Sequence, residues 1–365
     1  MREFVDYAGC IHIHSRYSDG SFTCEEILAD AHAAGLDFVW LTDHDTLKAR
    51  HDGWQGWHQK VLCVAGVEIA TRHGHIIAAN IDECKGLREL PIERALARIA
   101  EQGGTAIAAH PMGKVKRLFH IKVGEWEAWE SAHYAGFELW CYMHDWIHDL
   151  GVRNFLRFVR NPDTAIRGPE SELLNVWDRV TQERPLTAIG ALDNHARNIP
   201  FHRFGKPLCT ILPHAYVFRT VRTHVLCESL SGDADSDVAC ILRAITRGRC
   251  YVSYELKTNA RGFLFRAFRG ANALHMGDVV TAGDAVQFEV VTPRRSHITL
   301  LCDGHPVASA RGDTLSWELA AGRSGVVRAE ARLDGRPWIF SNPIYGREFL
   351  QADEARSNDG VALAR

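Results

Sequence analysis

The stretch "GCIHIHSRYSDGS" sets His12 and His14 one residue apart and follows them with Asp19. Further on, "LTDHD" holds His44, "VAGVE" ends on Glu68, "TAIAAH" ends on His110, and "TAIGALDNH" closes on Asp193 and His195. Imidazole nitrogen and carboxylate oxygen together suit zinc, manganese or iron and not calcium. Each of these residues follows a short apolar run that reads as a buried strand. In a parallel β/α barrel or sheet the C-terminal strand ends share one rim, and sites are built there. Residues distant in sequence would converge on that rim. Along a regular strand residues i and i+2 point to one side, so His12/His14 and Asp193/His195 are expected to act as pairs. Glu68 is expected to bridge two cations and reduce their mutual repulsion. Clustered cations activate water and stabilise both the attacking and the leaving oxygen of a phosphoryl transfer.

One HxH or DxH alone is weak, because a satisfied core histidine explains most of them. Five strand ends carrying ligand-type residues are much harder to obtain by chance. The remaining histidines, among them His32, His51, His58, His133, His144, His148, His202, His214 and His224, lie away from strand ends. They are expected at the surface or behind the ligands. The basic run "KVKRLFHIK" directly after His110 offers Lys114, Lys116 and Arg117 as phosphate contacts. The tryptophans between 126 and 146 are expected in the core, some of them lining a substrate pocket.

The elements that position these residues alternate in type. "TCEEILADAHAAG" is a helix with a Thr23/Glu26 capping box and a stop at Gly35. "LDFVWLTDHD", "VLCVAGVEIA", "GHIIAANI", "TAIAAHP", "GFELWCY" and "PLTAIGALDNHA" are strands, and "PIERALARIAEQGG" is a helix. The pattern implies βα units and a mainly parallel sheet. Residues 141–186 are mostly helical and 235–248 form another helix. After about residue 255 short alternating runs split by Gly, Asp and Pro suggest an antiparallel β-sandwich.

The chain has 365 residues, ten scattered cysteines without a CxxC pair, and a formal net charge of −3. That length allows more than one domain. The charge gives no electrostatic case for nucleic acid or a membrane surface. No signal peptide or membrane-spanning run is visible, and free thiols suit a reducing cytoplasm. The 20 histidines are the unusual number.

In order, "HIHSRYSDGS", "LTDHDT", "GVEI", "GHII", "AAHP" and "DNHA" resemble the motifs of the PHP (polymerase and histidinol phosphatase) superfamily across residues 9–197. The resemblance implies an α/β fold, a distorted (β/α)7 barrel, holding two or three divalent ions (Zn, Mn or Fe). It implies His12, His14, Glu68 and Asp193 around a first metal. His110, with His75 of "RHGHII", would join Glu68 on a second. Asp19, His44 and His195 would hold a third. Asp193, His195 and His110 are the candidate catalytic groups for proton handling. The chain reads "GALDNH" where many relatives carry small residues before the last pair, and Glu138 or Cys141 is a possible additional ligand.

The expected domains are a catalytic barrel over 1–254, a β-rich appendage over 255–348 and a loose tail over 349–365. The expected activity is a phosphoesterase acting on a small phosphorylated molecule. Amide or carbamate-ester hydrolysis by the same cluster is the alternative, and a non-catalytic ligand-binding protein a third. A membrane partner is not expected, and no polymerase or helix–hairpin–helix segment favours nucleic acid. The oligomeric state is left open.

Overall fold

The structure is a computed structural model that describes residues 4–116, 121–199, 202–203, 206–207, 209–280 and 283–347. Strand β1 (Val5–Ile13) is fully buried from Ala8 onward. Helix α1 (Cys24–Ala33) starts at the Thr23/Glu26 capping box. It ends before Gly35, whose φ of +69° is cheap only for glycine. Then come β2 (Phe38–Leu41), α2 (Lys48–His51), β3 (Gly56–His58), β4 (Val61–Ala65), β5 (Val67–Thr71), β6 (Gly74–Ala79), α3 (Ile92–Glu101) and β7 (Thr105–Ala109). The run "VLCVAGVEIA", expected as one strand, is two. Gly66 divides them, and a Cβ there would stand 2.3 Å from the Trp40 indole nitrogen and 2.4 Å from the Ala78 carbonyl oxygen. Strand β5 pairs antiparallel with β6, and β6 with β7, so this sheet is mixed and not mainly parallel.

Strands β8 (Lys114–Lys116), β9 (Ile121–Val123) and β10 (Gly136–Cys141) follow, and helices α4 (Tyr142–His148), α5 (Phe155–Arg160) and α6 (Ser171–Val180) supply the expected helical stretch. Next are β11 (Thr187–Ala191), β12 (His202–Arg203), β13 (Lys206–Pro207), α7 (His214–Val217), β14 (Val221–Cys227), α8 (Ala234–Thr246) and β15 (Cys250–Tyr254). No helix among the described residues is long and apolar enough to cross a membrane.

A closed barrel does not form. The order β15-β14-β1-β2-β4-β3 belongs to one sheet and β11-β10-β7-β6-β5 to another. They meet through the isolated parallel bridges Ile13↔Asn194 and His44↔Glu68. The physical reason lies beside those bridges. His12 and Asp193 have φ of +69° and +49°, outside the β region, so regular ladders cannot run through them.

The expected C-terminal sandwich is also corrected. The last strands are β16 (Leu264–Arg269), β17 (Asn272–His275), β18 (Val286–Cys302), β19 (His305–Leu319), β20 (Gly325–Leu333), β21 (Arg336–Ser341) and β22 (Ile344–Gly346). They extend the β1 sheet, because β21 pairs with β15 from Tyr251↔Ser341 to Ser253↔Ile339. The 17-residue β18 makes one continuous sheet possible. Its first part pairs with β16, its last part with β20, and β19 runs along it with a register break between Val291 and Ser296. Phe265, Phe288, Ile298, Leu300 and Ile339 form the core of this part.

Asp6, His224 and Glu255 tie β1, β14 and the residue after β15 together. Both ring nitrogens of fully buried His224 face carboxylates, Asp6 at 2.7 Å and Glu255 at 2.8 Å. Burial opposes a charged ring, but these bonds outweigh it and raise the imidazole above its ordinary pKa. Burial also opposes charge on Asp6 and Glu255, and His224 outweighs it, holding both below their ordinary values. The carboxylate contribution is lost as pH falls through the lowered values. The imidazole contribution is complete below its ordinary value and is lost as pH rises through the raised one. His224→Ala should therefore cost about 3–5 kcal/mol between roughly pH 4.5 and 6.5, and less at higher pH. Urea unfolding of both proteins across pH reads this difference; a cost that grows at alkaline pH contradicts it.

Candidate metal centre

Glu68, in β5, is fully buried, and imidazoles from several segments surround it. Its Oε2 lies 3.0 Å from His12 Nε2, 3.3 Å from His14 Nε2 and 3.1 Å from His44 Nδ1. Its Oε1 lies 2.7 Å from His75 Nδ1 and 3.0 Å from His110 Nε2. Asp193 Oδ1 faces the first pair from the other side, 3.4 Å from His12 Nε2 and 3.2 Å from His14 Nε2. Metal–ligand bonds near 2.1 Å give donor–donor edges of about 3.4 Å in a tetrahedral site and about 3.0 Å in an octahedral one. The four donors His12, His14, Glu68 and Asp193 fall in that range. They fit more than one kind of divalent cation.

Three further groups share these residues. Glu68, His75 and His110 form one, which joins the two histidines expected together. His14, Asp19, His44 and His195 form another, with His195 Nε2 3.2 Å and His44 Nε2 3.8 Å from Asp19 Oδ1. His14 Nδ1 approaches the same oxygen at 4.0 Å. A neutral imidazole has one acceptor nitrogen, so His14 cannot serve both sites while it remains neutral. The last group is His110, His144 and Asp193. Here the His110 and His144 rings are parallel, 1° apart with centroids at 4.3 Å. No cation can lie in both ring planes, so this group does not fit a metal. His144 Nε2 instead lies 3.3 Å from Asp193 Oδ2.

Several buried atoms here make no well-directed hydrogen bond although oppositely charged groups lie 3.0–4.0 Å away: His12 Nε2, His14 Nδ1, Asp19 Oδ1, His44 Nδ1, Glu68 Oε2 and His144 Nε2. Buried polar atoms are ordinarily satisfied. The gathered donors thus fit cations that complete their coordination.

The residues behind the donors fix their aim. Glu138 is buried in β10 and accepts from His12 Nδ1 at 2.5 Å and from the His110 backbone N–H at 2.8 Å. The first contact leaves His12 Nε2 free to ligate, the usual carboxylate–histidine arrangement behind a metal. Glu138 thus stands behind a candidate ligand, with both its oxygens engaged. Buried Asp43 accepts from the N–H and hydroxyl of both Ser15 and Ser18, holding the loop that carries Asp19. Gly20 lets that loop close, since a Cβ would stand 2.2 Å from the His14 carbonyl oxygen. His12, Asp193 and His110 all have positive φ, the last at +27°. The paired imidazoles therefore converge through an irregular strand end, with a register shift between Ile11 and Ile13, and not through the regular alternation expected.

The electrostatics follow from burial against opposite charge. Burial opposes ionised Glu68, but His12, with hydrogen bonds from His110, His12 and His14, holds it well below the carboxylate range. Burial likewise fails to neutralise Asp193, because His12 and bonds from His14 and His144 lower it strongly. Burial opposes protonation of His12 and His14, yet the carboxylates raise both, His14 to about 9. His110 is lowered, by burial first and then by the charge of His144.

Other expectations fared differently. Lys114 pairs with Glu170 at 2.7 Å and does not line the cavity beside the donors. The Lys116 side chain and all of Arg117 lie outside the described residues. His144, expected at the surface or behind the ligands, sits in α4 and is buried against Asp193. Its one signal is its place three residues after the strand "GFELWC".

No family model matches the chain. The uncharacterized protein MJ1587 of Methanocaldococcus jannaschii is 33% identical over 151 residues, covering 34% of this chain and 83% of that protein. A two-domain protein containing a predicted PHP-like metal-dependent phosphoesterase, from Bacteroides vulgatus, has a TM-score of 0.44 at 14% identity, covering 93% of this chain and 95% of that one. An amidohydrolase from Chromobacterium violaceum, with bound sulfate and no metal, has a TM-score of 0.32 at 16% identity, covering 51% of this chain and 87% of that one. PHP-like proteins are thus among its structural neighbours, and likenesses this distant do not bear on what the chain cleaves.

Two outcomes test the centre. Glu138→Ala should weaken metal binding about 10–100-fold in a competition titration against a chelator, and unchanged affinity would remove its orienting role. The raised imidazoles hold protons at neutral pH in the metal-free protein, and a cation must displace them. Affinity should therefore rise with pH toward about 9, the value of His14, with protons released into weak buffer. A pH-independent affinity contradicts this.

Proposed function

The chain belongs to one family with MJ1587 of Methanocaldococcus jannaschii, and from its own donor cluster we propose that it is a PHP-type metal-dependent hydrolase that cleaves a small phosphate ester. The buried donors gathered around Glu68 and Asp193, several without a well-directed hydrogen bond, carry this reading. A purely ligand-binding protein would leave them buried at a cost and without a use.

His12, His14, Glu68 and Asp193 would hold one cation, Glu68, His75 and His110 a second, and Asp19, His44 and His195 a third. When bound, divalent cations at such a site lower the pKa of water and neutralise charge developing on the group attacked. The protein supplies the rest. Glu138 keeps the His12 ring in one tautomer and orientation. Asp193 Oδ2, facing His144 Nε2 at 3.3 Å, is placed to accept a proton at the reacting centre and share it with that ring. His195 and His110 flank the same space as further candidates for proton handling. Arg197 lines the cavity as well, its guanidinium 2.5 Å from Asp19 Oδ2, and offers positive charge to an anionic ester. Residues 1–254 form the catalytic unit in this reading. Among the described residues, 255–347 contribute no donor to the cluster.

One observation favours a second reading. Much of the described lining apart from the donors is apolar, which also suits an amide or carbamate ester whose carbonyl would be polarised. His12→Ala and Asp193→Ala should each lose bound metal and lower kcat/KM by more than about 100-fold, beyond the loss typical of an outer-shell change. The assay is elemental analysis with a panel of phosphate monoesters, diesters and aryl amides. Full activity in either variant would end the assignment, and turnover of the amides alone would select the second reading.

A further inference from the structure

The cavity beside the donors has a volume of about 700 Å³, within the range of small-molecule sites. Its lining is of two kinds, the donors and an apolar set made of Met143, Trp146, Ile147, Leu150, Phe155 and Leu212. The first four are spaced i, i+3, i+4 and i+7, one apolar stripe along α4 and the residues just after it. His144, Asp145 and His148 of the same helix line a second cavity of about 380 Å³, which shares His110 with the first. Trp146 is a fixed part of the wall: it is buried, and its indole N–H donates to the Phe158 carbonyl at 3.2 Å.

Among the described residues that line the cavity, charge is sparse away from the donors. Arg197 is the one lining residue, among those described, with a guanidinium or ammonium group, and it already faces Asp19. Nearby in the chain, Val152 and Leu156 are 75% and 63% exposed and do not line the cavity. A sugar, a nucleotide or a second phosphate placed against such a wall would lose hydrogen bonds to water and find few replacements. An apolar body gains from the same burial.

We infer that the substrate's non-reacting part is an uncharged apolar body, an aryl or bulky alkyl group, seated against the α4 stripe and Phe155. This deepens the hydrolase reading above and rests on it. The bond broken joins that body to the group that meets the donors, water supplying the hydroxyl to one product and the proton to the other.

The test uses the metal-loaded full chain and two alkyl esters of similar intrinsic reactivity, 2-phenylethyl phosphate and glycerol 1-phosphate. A second readout is calorimetric binding of the uncleavable 2-phenylethylphosphonate against methylphosphonate. The phenyl compound should be preferred by at least about tenfold in both. Phe155→Ala and Met143→Ala, at half-buried positions, should each reduce the preference several-fold. Equal turnover and equal binding of the two members of each pair would overturn the inference and leave the hydrolase reading intact. Absence of turnover with a phenyl preference in binding that the variants reduce would support the inference and end the phosphoester reading. Absence of both turnover and binding preference would end both.

Discussion

A carboxylate with no access to water must be compensated by its neighbours, and the site is arranged around one such group, Glu68. His12, His14, His44, His75 and His110 all stand within 2.7–3.3 Å of its two oxygens. They arrive from β1 and its exit, the end of β2, β6 and the end of β7. Removing this carboxylate would leave imidazoles from both sheets without the charge that gathers them. The bridge between His44 and Glu68 also joins the two sheets, so the electrostatic centre and a structural seam coincide.

That coincidence explains the irregularity of the fold. A regular parallel ladder would keep His12 and Asp193 in β conformation. Their positive φ values instead turn the side chains toward Glu68 and leave single bridges where ladders would run. Such strain persists only where surroundings enforce it. Glu138 does so for His12 and His110. Asp43 holds the loop that carries Asp19. Functional geometry has displaced ideal barrel geometry at the positions where donors are needed.

Much of the donor set was legible in the sequence because its signal is positional. A polar, ligand-type residue at the end of an apolar run is unusual, and His12, His14, His44, Glu68, His110 and Asp193/His195 all have it. His75 emerged only through resemblance, since "GHII" puts it near the start of a strand. His144 was expected only at the surface or behind the ligands, because a histidine in a helix has no such position to mark it. Glu138 looked like a possible ligand, and only the direction of its contacts sets it behind a candidate ligand, His12. Closure of a barrel and stacking of a sandwich were misjudged for a shared reason. Local alternation reports which residues lie in strands, whereas pairing partners such as β15 with β21 are long-range choices. The apolar stripe on α4 was visible as aromatic richness, but its facing toward the donors was not.

The central claim is that Glu68 organises a centre for more than one divalent cation. Stoichiometry tests it most directly. The purified chain would be stripped with chelator, reloaded separately with zinc and with manganese, desalted and measured for metal and protein together. Two to three tightly held ions per chain with at least one of these metals is the expected result. A chain that retains one ion or none with both metals would contradict it.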